Sequence, residues 1–329
     1  MLTRNYSSDF FRLFFTMIVV FHHCNVSWLN NGYLAVEFFF ILSGYFVMQK
    51  YDKKGENINA LEYTRDRINK LYPHYLFSLV IIFLCYIIMG KCSTIDDFFR
   101  VIPEIFLVQD IGIFHVNGGI NSPLWYLSVL IVGSYFLFYL IARYKDHFTR
   151  FVAPLIIICV FTLILNDGVG LENWTRKVFI YIPLFRGIAD MCIGIIIYEV
   201  CKVQKQKSKI NIILLRIFEV ISILGLLLIF SINENYDMYA IVFISYILYS
   251  CFNKESIIYK TLNRSIFGRI EKYLYPIYLN HYLFVLVLGK LTKVLNPTVS
   301  IIIMLLCLWI YSIFTYNLVN KVIYKIKNN

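Results

Sequence analysis

Charge is what this 329-residue chain has least of: Asp, Glu, Lys and Arg together make up 16%, with 20 acidic residues against 31 basic ones. Soluble domains carry about 25% charged and roughly 45–50% apolar residues. A chain that is 59% hydrophobic, with a mean hydropathy of +0.68, falls outside that class. The longest polar stretches run to about 30 residues, too short for a separate soluble domain. A glycine-rich phosphate loop, a His/Cys metal spacing and a repeat of fixed period are all missing, which excludes the function classes those patterns serve. The eight cysteines (24, 85, 92, 159, 192, 201, 251 and 307) fall mostly within or beside apolar runs and read as small apolar side chains. Cys24 and Cys92 alone lie near one face, where a bridge between them is open but not expected.

What is present is a succession of apolar runs near 20 residues, each long enough to cross about 30 Å of hydrocarbon as a helix. The expected fold is all-α, a polytopic transmembrane bundle forming one domain over residues 1–329. Ten spans can be drawn: 9–28, 32–49, 73–90, 123–142, 151–166, 178–200, 211–231, 237–252, 273–289 and 298–318. The first is not a cleavable signal, because a second apolar run follows within a few residues and no small-residue cleavage site appears.

Basic residues orient the spans. With both termini in the cytoplasm, 22 of the 31 Lys and Arg lie in inside segments, 6 lie outside, and Arg12, Arg186 and Arg216 remain in the membrane. That excess is what the positive-inside rule expects. The net charge of +11 is thereby explained by topology and anionic lipid, and nucleic acid is not an expected partner.

Ionisable groups inside hydrocarbon cost roughly 2.5–3.5 kcal/mol each and default to functional roles. Arg12 and His23 are eleven residues apart. At about 100° per residue that is close to three whole turns, which puts both side chains on one face about 16 Å apart. His22 points roughly 80° away and reads as a packing or interfacial residue. Glu37 sits about one turn into the second span, at a depth matching His23, where a carboxylate would raise the basicity of an imidazole and fix its tautomer. Its alternative is a structural partnership. Arg186 and Asp190, spaced i and i+4, are expected to neutralise each other, and Arg216 with Glu219 reads the same way. Asn280 and His281 fall mid-membrane behind Pro276.

The segment 58–72, INALEYTRDRINKLY, is an amphipathic helix leading into Pro73. Arg67 and Lys70 share one face of it, and paired cations at a membrane surface suit a phosphate-bearing ligand, with lipid headgroups as the alternative. The outer segment 92–122 is long enough for a lid or platform, but its sequence is uninformative.

The order Asp9-Phe-Phe-Arg12, His23, Gly32, AVEFFFILSGYF (35–46) and RDRINKLYP (65–73) resembles the membrane-bound acyltransferase-3 family. The likeness continues in LWYLSV (124–129), FRGIADMCIG (185–194) and YLYPIYLNHYLF (273–284), so it spans nearly the whole chain. Two positions depart from the family pattern: Lys70 replaces the second arginine of the paired motif, and Leu130 stands where many relatives have glutamate. An appended hydrolase-like domain, found in larger members, is not expected.

The resemblance implies transfer of an acyl group, usually acetyl, from cytoplasmic acetyl-CoA to a hydroxyl of a cell-envelope or exported carbohydrate. His23 would be the catalytic base or transient acyl carrier, with Glu37 orienting it. Arg12, Arg67 and Lys70 would hold the acetyl-CoA phosphates, and Ser43, Trp125 and His281 would contact substrate. No metal is expected. The expected partners are acetyl-CoA, a carbohydrate acceptor and the bilayer, and the expected location is the cytoplasmic membrane. A transporter or flippase for a polysaccharide precursor or small solute is the alternative, since intramembrane charges also mark transport pathways.

Overall fold

The computed structural model describes residues 4–55, 58–92, 99–113, 119–168, 170–172, 176–177, 180–203, 209–232, 236–289 and 295–328. Lys205, Lys207, Lys290 and Lys293, which entered the charge count, lie outside the described residues. The chain divides into two compact units, Met1–Thr64 with Val129–Glu271, and Arg65–Ser128 with Lys272–Asn329.

The described residues are overwhelmingly helical. Twelve α-helices are assigned: α1 Tyr6–His23, α2 Ala35–Lys54, α3 Ala60–Ile88, α4 Val101–Ile105, α5 Trp125–His147, α6 Ala153–Asp167, α7 Ile182–Lys202, α8 Lys209–Ser231, α9 Asp237–Phe252, α10 Ile257–Leu262, α11 Ser265–Leu288 and α12 Pro297–Asn328. A π-helical turn, Phe148–Val152, joins α5 to α6, and a two-residue antiparallel pairing sets Arg176–Lys177 against Ile180–Tyr181. Each of the ten expected spans coincides with a helix.

Five helical stretches are long and apolar enough to cross a membrane: Gly32–Lys54, Ala60–Ile88, Ser122–Asp167, Ile210–Ser231 and Pro297–Asn328. The 46-residue stretch Ser122–Asp167 holds two of the expected spans. Of the helices outside these stretches, α9 has 16 residues, while α1, α7 and α11 carry Asp9 and Arg12, Arg186 and Asp190, and Arg269 and Glu271. One boundary differs from the sequence reading. The amphipathic segment 58–72 and the span from Pro73 form one continuous helix, α3. Pro73 removes a single backbone donor, a loss that neighbouring groups in a bundle can absorb.

In the first unit, α2 is the enclosed helix: 78% of its apolar window is buried, against 22–28% for the other four stretches. It runs parallel to α7 at a separation that glycine alone permits. A Cβ on Gly44 would run into the Met191 carbonyl, and one on Gly194 would run into the Ile41 carbonyl and stand 2.7 Å from the Tyr45 nitrogen. Close backbone approach through small residues is how helices associate where lipid removes the hydrophobic drive between them. At the far end of the pair, Asp52 takes Lys145 at 2.6 Å, Lys202, and the Tyr198 hydroxyl at 3.2 Å.

The second unit is tied by the segment that carries α4. Glu104, fully buried in α4, accepts the backbone N–H groups of Ile120 and Asn121. Gly119 leaves room for this, since a Cβ there would strike the Glu104 carboxylate. Tyr75 of α3 donates to the Glu104 carbonyl at 2.7 Å, Asn121 donates to the Leu279 carbonyl of α11 at 3.1 Å, and Tyr278 donates to the Pro123 carbonyl. Burial pushes the Glu104 carboxyl up to about 7, against the pull of the two N–H donors.

Two outcomes follow from this packing. Gly44→Ala and Gly194→Ala should each cost about 1–3 kcal/mol, the overpacking range, read as a lowered unfolding midpoint of the purified protein. Gly289→Ala, with nothing within 4 Å of its would-be Cβ, should leave the midpoint unchanged. Equal midpoints for all three variants would contradict the close approach. The Glu104 carboxyl is raised from its ordinary 4.5 to about 7, so the folded state binds the extra proton between those values. Its stabilising contribution is full below about pH 4.5 and is lost as pH rises through about 7. The midpoint of the wild type should fall across that window relative to Glu104→Gln, and parallel curves would contradict the assignment.

Candidate active site

Helix α1 starts cleanly because Asn5 caps it, its side chain accepting the Ser8 N–H at 2.8 Å, and because Asp9 lies in the first turn where an acid complements the helix dipole. Arg12 lies one turn further on. Its guanidinium binds Glu271 and lies 3.6 Å from Asp9, while Arg4 binds Asp9 at 2.7 Å and Glu271 at 2.9 Å. Two cations and two carboxylates thus balance, and the Phe46 ring lies 5.3 Å from the Arg12 guanidinium carbon. Arg12 is therefore engaged by carboxylates, not held open for a phosphate.

At the other end of α1 the two histidines have different jobs. The His22 ring faces the Leu29 carbonyl at 3.3 Å and packs edge-on to Tyr33, and its Cβ would stand 2.6 Å from a Cβ on Gly32. His22 is a packing residue for the loop after α1. His23, partly exposed, places Nδ1 2.9 Å from the Val19 carbonyl, one turn back along its own helix. A carbonyl can only accept, so Nδ1 carries the hydrogen and the neutral ring keeps its lone pair on Nε2. The tautomer needed for a base is fixed by the helix itself.

Glu37 does not supply that orientation. Its ion-pair partner is Arg186, whose Nε lies 3.4 Å from Glu37 Oε1, and Asp190 interacts with both. His23 is not among the groups Glu37 touches. The depth match read from the sequence puts Glu37 and His23 at comparable positions along α1 and α2. The rotation of α2 is set by the Gly44–Met191 contact, which turns Glu37 toward α7. The expected Arg186–Asp190 partnership is thereby widened to a buried trio, with Glu37 and Asp190 at 0% and Arg186 at 2% exposure.

The trio extends further. Arg186 also donates to the Leu171 carbonyl, the Leu171 N–H donates to Asp237 at 3.1 Å, and the Tyr33 hydroxyl donates to the same Asp237 oxygen. Asn31 donates to the Ile229 and Ile232 carbonyls at 3.0 and 2.6 Å. The segment after α1, with Asn31 and Tyr33, is thus anchored to α8, α9 and, through the 171 loop, to α7. Asp237 escaped the sequence reading. Its signal was an acid in the first turn of an otherwise apolar helix. Glu219, expected to pair with Arg216, instead accepts the Ile257 N–H at 2.9 Å.

The remaining candidates are spread over both units. Ser43 of the first unit is 7% exposed, and Trp125 and His281 of the second are 8% and 0% exposed. His281 Nδ1 lies 2.6 Å from the Tyr278 carbonyl, the same helical tethering seen at His23. These three side chains are packed in cores and do not line an open wall. Arg67 and Lys70 lie on α3 in the second unit, Arg67 half-buried and Lys70 exposed. Leu130, where relatives carry glutamate, is a core residue at 3% exposure. Cys24 and Cys92 are both thiols, so no bridge joins them. Among the described residues, no group of three or more His, Cys, Asp or Glu is placed to hold a metal ion.

A family model described as an acyltransferase domain matches residues 5–316. Similar proteins include the O-acetyltransferase OatA of Staphylococcus aureus (strain NCTC 8325 / PS 47), 28% identical over 152 residues, covering 42% of this chain and 25% of the relative. The peptidoglycan O-acetyltransferase OatA of Listeria monocytogenes serovar 1/2a is 24% identical over 136 residues, 37% of this chain and 22% of the relative. "Protein 2 in picA locus" of Rhizobium radiobacter is 35% identical over 77 residues, 22% of this chain and 40% of that protein. The matches thus span about a quarter of the length of the OatA relatives. No solved structure matches the chain. With a helical fold and a family match over nearly its whole length, this chain belongs to the acyltransferase-3 family.

Proposed function

We propose that the protein is an integral-membrane O-acetyltransferase that moves an acetyl group from cytoplasmic acetyl-CoA to a hydroxyl of a cell-envelope carbohydrate. In this reading it sits in the cytoplasmic membrane with ten spans and both termini inside. One observation carries the chemistry: His23 is partly exposed, and its Nδ1–H is fixed on Val19, which leaves Nε2 as the basic nitrogen. Family membership favours this reading over a transporter, and the names of the OatA relatives support an envelope glycan as acceptor.

The step balances simply. Nε2 of His23 takes the proton of the acceptor hydroxyl as its oxygen attacks the thioester carbonyl. Collapse of the tetrahedral adduct breaks the carbon–sulfur bond, and the departing CoA thiolate recovers the proton from the imidazolium. Arg67 and Lys70 are the proposed donor contacts, as cations on one face of α3. Arg12 would have to exchange Glu271 for a phosphate to join them, so its proposed place is secondary. Glu37 acts on the site through Arg186 and the loops that Arg186 anchors.

At matched protein levels, His23→Ala should reduce acetyl transfer by about 10²–10⁴, the usual worth of a general base. His22→Ala keeps the Cβ that packs on Gly32 and should be much milder. A dead His22→Ala beside an active His23→Ala would overturn the assignment. Charge-assisted hydrogen bonds are worth about 1.5–3 kcal/mol. Arg67→Ala should therefore weaken acetyl-CoA binding by about tenfold or more, with Lys70→Ala acting in the same direction. Unchanged affinity in both, measured by calorimetry, would move α3 to a structural role.

A further inference from the structure

An apolar crevice of about 460 Å³ opens along the first unit between α6, α7 and α9. Ile157 and Phe161 of α6, Ile193 and Val200 of α7, and Val242 and Tyr249 of α9 are among the side chains that line it. Its polar groups are few: Tyr246 donates to the Leu215 carbonyl at 3.2 Å, the Tyr249 hydroxyl accepts from Asn253 at 3.2 Å, and the remaining one is the small hydroxyl of Ser245. A sugar or nucleotide would find little to bond to there. The lining runs along α9 from Met238 to Tyr249. At 1.5 Å per residue that is about 16 Å, close to half of the ~30 Å hydrocarbon core and so to the depth of one leaflet.

One end of this crevice is basic. The α7 and α9 sides converge there, since Tyr45 of α2 stacks on Phe252 at 3.8 Å and meets Tyr198 at 5.1 Å. Lys145 lies 3.8 Å from Glu199 and brings in the α5–α6 turn. Each of the three crevice helices presents a cation at that end: Arg150 in the turn before α6, Lys202 closing α7, and Lys254 just past α9, all exposed. Of the nearby carboxylates, Asp52 is taken by Lys145 and Lys202, Glu199 lies 3.8 Å from Lys145, and Glu255 is taken by Lys260 at 2.8 Å.

We infer that this crevice is a lipid-binding site that takes one acyl chain of an anionic glycerophospholipid, with the phosphate against Arg150 and Lys254. The apolar, leaflet-deep lining selects a hydrocarbon chain, and the basic rim selects a negative headgroup. Val242 and Val200, 62% and 51% exposed, can be enlarged without entering the core.

The full-length protein would be reconstituted in nanodiscs of equal phosphatidylglycerol and phosphatidylcholine, extracted in mild detergent, and its retained lipid counted by native mass spectrometry. The wild type should keep one phosphatidylglycerol. Val242→Trp and Val200→Trp should lose it while unfolding at the wild-type temperature. Arg150→Gln and Lys254→Gln should keep a lipid but lower the preference for phosphatidylglycerol by about fivefold for each cation removed. Equal retention of the two lipids by the wild type would overturn the headgroup assignment. Undiminished retention in both tryptophan variants would overturn the crevice as the site.

Discussion

The contact between α2 and α7 governs the first unit. Two constraints act on it at once. Gly44 and Gly194 let each backbone lie against the other helix's carbonyls, and the same approach closes Glu37, Arg186 and Asp190 into a space without water access. Desolvating each ion costs several kcal/mol, and losing one partner of such a set typically costs about 3–5 kcal/mol. The charges therefore lock the register of two helices whose rotation the glycine contacts set. From this contact Arg186 reaches the 171 loop, that loop reaches Asp237, and Asp237 holds Tyr33 in the loop after the histidines. His22 packs against Tyr33 at the end of this chain of bonds, while His23 is held by the Val19 carbonyl of its own helix.

The ionisable groups within these helices divide into two kinds. Arg12, Glu37, Arg186 and Asp190 have partners of opposite sign, and their polarity is spent on holding helices together. His23 is different. It is tethered through Nδ1 to a backbone carbonyl of its own helix and stands partly exposed, near the loop that the charged network anchors. An uncharged, locally fixed imidazole is suited to taking up a proton and giving it back, which is what acyl transfer between two oxygen- and sulfur-bound states requires.

Much of this was legible in the amino-acid sequence. Hydrophobic run length located the long helices, and five of the helical stretches among the described residues are long and apolar enough to cross a membrane. Helical periodicity paired Arg186 with Asp190 and separated His22 from His23. Partners across helices were not legible. Depth along the membrane matched Glu37 to His23, but which way α2 faces is decided by Gly44 against Met191, a contact 147 positions distant in the chain. Arg12 and Glu271, or Asp52 and Lys145, meet for the same non-local reason. Pro73 read as a boundary because proline usually ends a helix, yet α3 passes through it. Glu104 gave no periodic signal at all, since its role is to bind the backbone of an irregular segment.

The functional claim is that acetyl reaches a surface carbohydrate through this protein. Mass analysis of envelope glycans from cells with and without the gene tests it most directly. The account requires an acetyl increment that disappears on deletion and returns when the gene is restored. Identical acetyl content in the two glycan preparations would contradict it.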